Sequence, residues 1–221
     1  MRINRRHFLL GTSQLVMWPL FARAGKLDEQ VPTAGAKLRF AVRLDSTDVG
    51  EHLISFRDEA GHVHIEHTVD ILLKIAFVTA YSLKHTSKET WSGIGRDARL
   101  LAISSDTIED GKEYKVDGKA GNDNFSISTG QGELTAPLDI ATSNSFWADA
   151  AVMRPHLIDS MDGSLIQSRV DEIAELLESN IKKEHVRLHA NDRSAEAWFE
   201  NDILVKGQIL RNGHTIHYHL T

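Results

Sequence analysis

The sequence contains no cysteine. That excludes a disulfide framework, a thiol nucleophile and a lipid-modified cysteine anchor. It also lacks the Gly-x-Ser-x-Gly elbow of serine hydrolases and the glycine-lysine loop that cradles phosphates. Gly93-x-Gly95 and Gly130-x-Gly132 stand alone and read as turns. The Asp and Asn residues of 117–124 lack calcium-loop spacing and read as another turn. Carboxylates are plentiful, but no pair is picked out by its setting as a general acid and base. Long apolar runs are missing too: the one at residues 8–22 is interrupted by Gly11, Thr12, Ser13, Gln14 and Pro19, which makes it too short and too weak to span a bilayer.

What stands at the N-terminus is a targeting pattern. Arg5, Arg6, Phe8 and Leu9 resemble a bacterial twin-arginine export signal, with departures at Asn4 and Leu10. Ala22-Arg23-Ala24 supplies the small residues of a cleavage site, so residues 1–24 are expected to be removed and the mature chain to start near Gly25 in the periplasm. Four arginines leave with that segment. The rest holds 21 basic against 31 acidic residues, a formal net charge of −10. That sign repels phosphate backbones and anionic lipid surfaces, so nucleic acid is not an expected partner. About 200 residues remain, enough for one core and one domain.

Residues 25–36 mix Gly, Pro, Asp, Glu and Thr without period and read as a tether; residues 37–221 carry the fold. Leu38, Phe40, Val42 and Leu44 alternate with Lys37, Arg39, Ala41 and Arg43, the pattern of a strand with one wet face. Asp45-Ser-Thr-Asp48 turns the chain into a returning strand, in which Gly50 marks a bulge or a close approach. Alternation then runs through residues 62–78, longer than an ordinary strand, so this ribbon is expected to bend. No Gly, Pro, Asn or Asp lies between Ile71 and Leu83. A bulge or corner near Val78 is therefore expected in place of a tight hairpin. Glu109-Asp-Gly-Lys112 and Arg211-Asn-Gly-His214 are hairpin turns, the second of type I′. A short helix within residues 143–155, capped by Ser143 or Asn144 and stopped by Pro155, is expected, and periodicity favours a helix over residues 170–183. The fold class is mainly β: a single domain of long, curled antiparallel sheet, a meander or partial barrel, with at most one or two short helices.

Several elements together, Asp45-Ser46 with Val49-Gly-Glu-His52, His85 with Glu89-Thr-Trp-Ser-Gly93, Asp106-Thr107 with Asp110-Gly111, Thr142-Ser143 with Phe146-Trp147, and Asp162-Gly163, resemble a proteobacterial family of exported β-rich proteins of unknown function. The resemblance implies a periplasmic antiparallel domain, and two strands with a turn at Ser179-Asn180 where periodicity favours a helix. It implies no catalytic residues.

Twelve histidines are many for this length, and they gather at His62, His64 and His67 and at His214, His217 and His219. Histidines at i and i+2 of a strand share a face, and two such clusters on neighbouring strands could hold a metal. Neither cluster comes with a further ligand, and no cofactor is expected. His67 differs because it interrupts an apolar face between Ile65 and Val69. A buried imidazole needs a partner. If the ribbon folds back with an even register sum, His67 faces Glu89 or Trp91, with His85 beside them. His67, His85, Glu89 and Trp91 are the candidate ligand-binding cluster. The apolar stripe from Val63 to Phe77, continuing to Tyr81, Leu83 and Trp91, with Trp147 and Trp198 to line or close it, points to a non-enzymatic protein that binds a lipid, another hydrophobic ligand or an envelope protein. The alternatives are a histidine-based metal protein or metal-dependent enzyme, and a purely structural envelope factor.

Overall fold

A computed structural model describes residues 35–93, 97–145, 147, 154–179, 181–190, 193–211 and 214–221. Fifteen strands follow one another among them: β1 (Lys37–Leu44), β2 (Thr47–Glu59), β3 (His62–Ile75), β4 (Val78–Trp91), β5 (Leu100–Glu109), β6 (Lys112–Ala120), β7 (Phe125–Thr129), β8 (Gly132–Ala136), β9 (Ile140–Thr142), β10 (His156–Ile158), β11 (Leu165–Glu178), β12 (Ile181–Ala190), β13 (Arg193–Glu200), β14 (Ile203–Arg211) and β15 (His214–Leu220). All belong to one sheet. Its order runs from β8 back to β1, then from β15 back to β9. The sheet curls until its edge strands β8 and β9, consecutive in the chain, bring it close to a closed barrel. Every ladder is antiparallel except the one between β9 and β10.

Alternation builds the wall. Leu38, Phe40 and Val42 of β1, Ile54 and Phe56 of β2, and Val63, Ile65 and Val69 of β3 point inward and are buried. The outward rows are polar, with Glu66 opposite Lys88 and Asp70 opposite Lys84 across β3 and β4, as expected of a wall that faces water. Because neighbours alternate in direction, the turns after β1, β3, β5 and β7 fall at one end, the upper rim, and those after β2, β11 and β13 at the lower. The parallel β9–β10 pair requires residues 143–155 to return from the upper end to the lower. Trp147 of this crossing segment is buried against Phe56 and Trp91, at ring distances of 5.6 and 5.9 Å.

The expected corner near Val78 is instead a tight hairpin. β3 ends at Ile75, Ala76 and Phe77 make the turn, and β4 returns in register from Ile75↔Val78 to Val63↔Trp91. Ala76 carries φ of 55°. A left-handed residue with a Cβ costs about 1–2 kcal/mol, an amount the many cross-strand pairs below it outweigh. The expected bulge exists as well, between Leu73 and Lys74.

Periodicity misleads at residues 170–183, which form β11 and β12 with Ser179 turning at φ 52°, as the family resemblance implied. Leu176 and Leu177 are adjacent and both exposed, so no helical face exists for them to complete. In the stretch expected to hold a short helix, Ser143 and Asn144 form a turn after β9, while residues 146 and 148–153 lie outside those described. So do residues 1–34, 94–96 and the centre of the Asn212-Gly213 turn, whose flanking pair Arg211↔His214 is in place.

Gly50 is a point of close approach, as its sequence position suggested. It lies beside the bulge between Val42 and Arg43, and a Cβ on it would collide with the Asp70 carbonyl of β3. Gly50→Ala is expected to lower stability in urea by about 1–3 kcal/mol. Gly61→Ala, at a turn where φ is +78° but space is open, should cost only about 1 kcal/mol.

Candidate functional site

A strand rises about 3.3 Å per residue, so inward side chains form successive levels down the barrel. Near the upper rim, Val42, Val49, Val69, Ile71 and Leu83 form a small apolar cluster. Below the middle lies the main core, which includes Phe40, Ile54, Ile65, Trp91, Phe125 and Phe199. Between the two runs a diagonal band of buried polar residues. His52 lies beside Val69, which lies beside His85 and then Thr107; one level down, Ile54, His67, Ser87 and Ser105 are aligned; below them comes Glu89.

Below the bulge the register sum of the β3–β4 hairpin is even, which puts the four candidate residues on one face, but His67 does not face Glu89 or Trp91 as expected. His67 sits directly opposite Ser87, with His85 and Glu89 as its diagonal neighbours. Its Nε2 lies 3.6 Å from Glu89 Oε1. The indole of Trp91 donates to Glu89 Oε2 at 2.8 Å, and Thr142 Oγ1 donates to Oε1. His85 receives a hydrogen bond on Nε2 from the Asn144 amide at 2.9 Å and pairs through Nδ1 with Thr107 Oγ1 at 2.8 Å. His52, absent from the sequence-based cluster, pairs through Nε2 with His67 Nδ1 at 3.1 Å.

Sequence reasoning also missed Thr107, Thr142 and Asn144. His52 had a signal, because it shares the inward phase of β2 with Ile54 and Phe56. Thr142 and Asn144 had none, since their role depends on where the crossing segment enters the barrel.

Burial sets the electrostatics. Desolvation pushes Glu89 up to about 7, against the downward pull of its hydrogen bonds from Thr142, Trp91 and Ser145. The same cause brings His52 down to about 3 and His85 to about 4, and holds His67 well below the usual imidazole range. His67 and Glu89 are both driven toward their neutral forms, so their contact is held in place by burial more than by charge. A neutral imidazole donates from one nitrogen only. The His52–His67 hydrogen bond therefore uses one proton between the two rings, and His67 Nε2 faces the carboxyl without bonding to it.

The histidine clusters do not meet. β3 and β15 are separated by β2 and β1. His64 pairs with Thr90 and His214 with Asp45, while the His217 and His219 rings stack at 6.3 Å. Among the described residues no three His, Asp or Glu side chains converge in a way that could hold a metal ion. Trp198 does not line the interior: it lies on the outer face, stacked on His185 at 4.3 Å and covered by the Lys206 ammonium at 4.2 Å.

The barrel and its polar band lie within the residues that a family comparison covers. The family described as domain of unknown function DUF6134 matches residues 40–221. The chain belongs to this family. In DUF6134 terms the match takes in nearly the whole described wall and all four predicted site residues. Among solved structures the chain is similar to a β-barrel-like protein of domain of unknown function DUF1849 from Brucella abortus, with a TM-score of 0.60 over 84% of this chain and 94% of that one. At 12% identity this is a likeness of fold alone. No curated protein matches.

The shifts predict a stability that rises from acid pH through neutrality and levels off above about pH 7.5, where the histidine and Glu89 effects nearly cancel. The three histidines contribute fully above their ordinary pKa and lose that contribution as pH falls toward their depressed values. Glu89 behaves in the opposite sense: its raised pKa adds stability below the ordinary carboxyl range, lost as pH rises through about 7. The acid limb should therefore fall by roughly two protons' worth, about 3 kcal/mol per pH unit between pH 6.5 and 4.5. Glu89→Gln should steepen that limb by about one proton's worth, roughly 1.4 kcal/mol per pH unit, measured by urea unfolding across pH.

Proposed function

We propose that the protein is exported to the periplasm by its N-terminal twin-arginine-like segment and works there as a non-catalytic barrel that docks on a hydrophobic component of the envelope. One observation carries the docking reading. At the tip of the β3–β4 hairpin, Phe77 is 101% exposed, with Val78 at 70% and Ile75 at 66% beside it. Large exposed apolar groups that cluster mark contact surfaces. The inward stripe from Val63 to Ile71, which suggested a concave binding face, is covered by the barrel's own core, so the hydrophobic contact is assigned to the part of the same ribbon that leaves the barrel.

A second reading, in which His67, His85, Glu89 and Trp91 receive a small polar guest, is favoured by one atom. His67 Nε2 is buried and makes no hydrogen bond. A mass excess in the native protein over its denatured mass would support that reading.

Two outcomes test the leading proposal. Arg5→Lys with Arg6→Lys should leave the chain at its precursor mass in the cytoplasm, whereas the wild type is processed near Gly25; equal processing of both refutes the export route. Ile75→Asp with Phe77→Asp should shift the thermal midpoint by no more than about 2–4 °C, because exposed substitutions change stability by about 0.5 kcal/mol. The same variant should lose most of its sedimentation with isolated cell envelopes. Unchanged sedimentation would end the docking reading.

A further inference from the structure

The β3–β4 hairpin changes character where it leaves the sheet. Its ladder to β2 ends at Gly50↔Ile71 and its ladder to β5 begins at Leu83↔Glu109, with Ser82 held by Asp110, so the strand pairing of residues 72–81 is confined to the hairpin itself. Below this point the outward positions His64, Glu66, Thr68 and Asp70 are polar and the inward ones apolar apart from His67. Beyond it Leu73 still points inward, Leu72 is 45% exposed on the outward face opposite Ser82, Lys74 pairs with Thr79, and the apex adds the exposed Ile75, Phe77 and Val78. An apolar cluster carried past the core into solvent is built for an apolar surface outside the barrel. The ribbon past the last neighbour is four residues long on the β3 side, about 13 Å at strand rise.

Its charge is equally selective. Of 31 acidic residues in the chain none lies within residues 71–83, where Lys74 is the sole charged side chain. Tyr81, at the base, keeps its hydroxyl on Glu109 at 2.8 Å, a polar end where the ribbon meets the rim. The hairpin at the opposite end makes the contrast. Leu176 and Leu177 are also exposed, but Glu175, Glu178, Lys182 and Lys183 surround them in sequence.

We infer that the β3–β4 tip inserts into the surface of a lipid bilayer, with Phe77, Ile75 and Val78 among the acyl chains, Lys74 at the headgroups and Tyr81 at the polar boundary. The tip stands beyond the last neighbouring strands, and Phe77 at its end is open on every side, as acyl chains would meet it. Thr79 and Lys74 lie beside this apolar end, where the long Lys74 stem lets its ammonium reach the headgroups, and no carboxylate in residues 71–83 opposes that contact. This inference rests on the docking reading above and names what is docked upon.

The absence of cysteine makes the test direct. In the full-length chain, Val78→Cys and, separately, Leu177→Cys give single attachment points for an environment-sensitive dye. With vesicles of phosphatidylethanolamine and phosphatidylglycerol, the dye at position 78 should shift to the blue and brighten several-fold, while the dye at 177 should not respond. Phe77→Asp in the Val78→Cys chain should weaken vesicle partitioning at least tenfold; Ile75→Ser, a milder change, should weaken it severalfold, both with an unaltered thermal midpoint. No response at 78, an equal response at 177, or tip variants that partition like the wild type overturn the inference. So does a response at 78 that follows protein concentration without vesicles, which would assign the tip to a second copy. Sedimentation with whole envelopes but not with lipid vesicles leaves the docking reading intact and sinks this one; loss of both sinks both.

Discussion

A carboxyl group buried in an apolar interior with no lysine or arginine to answer it must be met by hydrogen-bond donors, and Glu89 is met from two separate parts of the chain. Trp91 donates from its own strand and Thr142 from the end of the edge strand β9, while His67 Nε2 stands 3.6 Å away without a hydrogen bond. The Thr142 contact matters most for architecture. Inside the nearly closed sheet Ile140, Ala141, Thr142, Ser145 and Trp147 are buried. The hydrogen bond from Thr142 ties this segment to Glu89, and the buried Trp147 packs on Phe56 and Trp91. An unpaired buried polar group costs about 1–3 kcal/mol, so each member of this network constrains the positions of the others.

The polar band also divides the barrel into unequal parts. Below it the core is broad and contains the large aromatic residues; above it only a small aliphatic cluster supports the rim. The β3–β4 hairpin rises from this upper part with its neighbours no longer beside it. The wall therefore supplies rigidity at the base of the ribbon and leaves its end free of the sheet, an arrangement suited to contact with something outside the barrel. Ser82, held by Asp110 of the β5–β6 turn through its backbone N–H at 2.8 Å, is the last point at which the barrel grips the ribbon.

Particular residues show how far the primary structure reached. Alternation located β1, β2, β5 and β7 because each has one wet and one dry face. An even register of the β3–β4 pair was a condition the sequence could pose and not derive; the structure meets it below the bulge and places Ser87, not Glu89 or Trp91, opposite His67. The hairpin at Ala76-Phe77 was hidden because the turn has no Gly, Asn or Asp, and an alanine in the left-handed region leaves no compositional mark. Periodicity failed at residues 170–183 because Leu176 and Leu177 are exposed at a hairpin end, and apolar residues outside a core mimic a helical face. The strands β9 and β10 are three residues each, too short for any period to show.

The sequence alone determined what one strand or one turn can hold: a cysteine-free, acidic, β-rich chain, the inward phase of the long strands, Gly50 as a point of close approach and the candidate cluster centred on His67. These are local matters, because a side chain's face depends on its own position along the strand. The tertiary structure decided which strands become neighbours, and so separated the histidine clusters, brought Thr142 and Asn144 into the polar band and turned Trp198 outward. It also decided where the apolar ribbon stops being core. Val69 and Phe77 are equally apolar and lie in the same phase of one continuous pattern. Only the lengths of β2 and β5 beside them determine that the first is buried and the second stands in solvent.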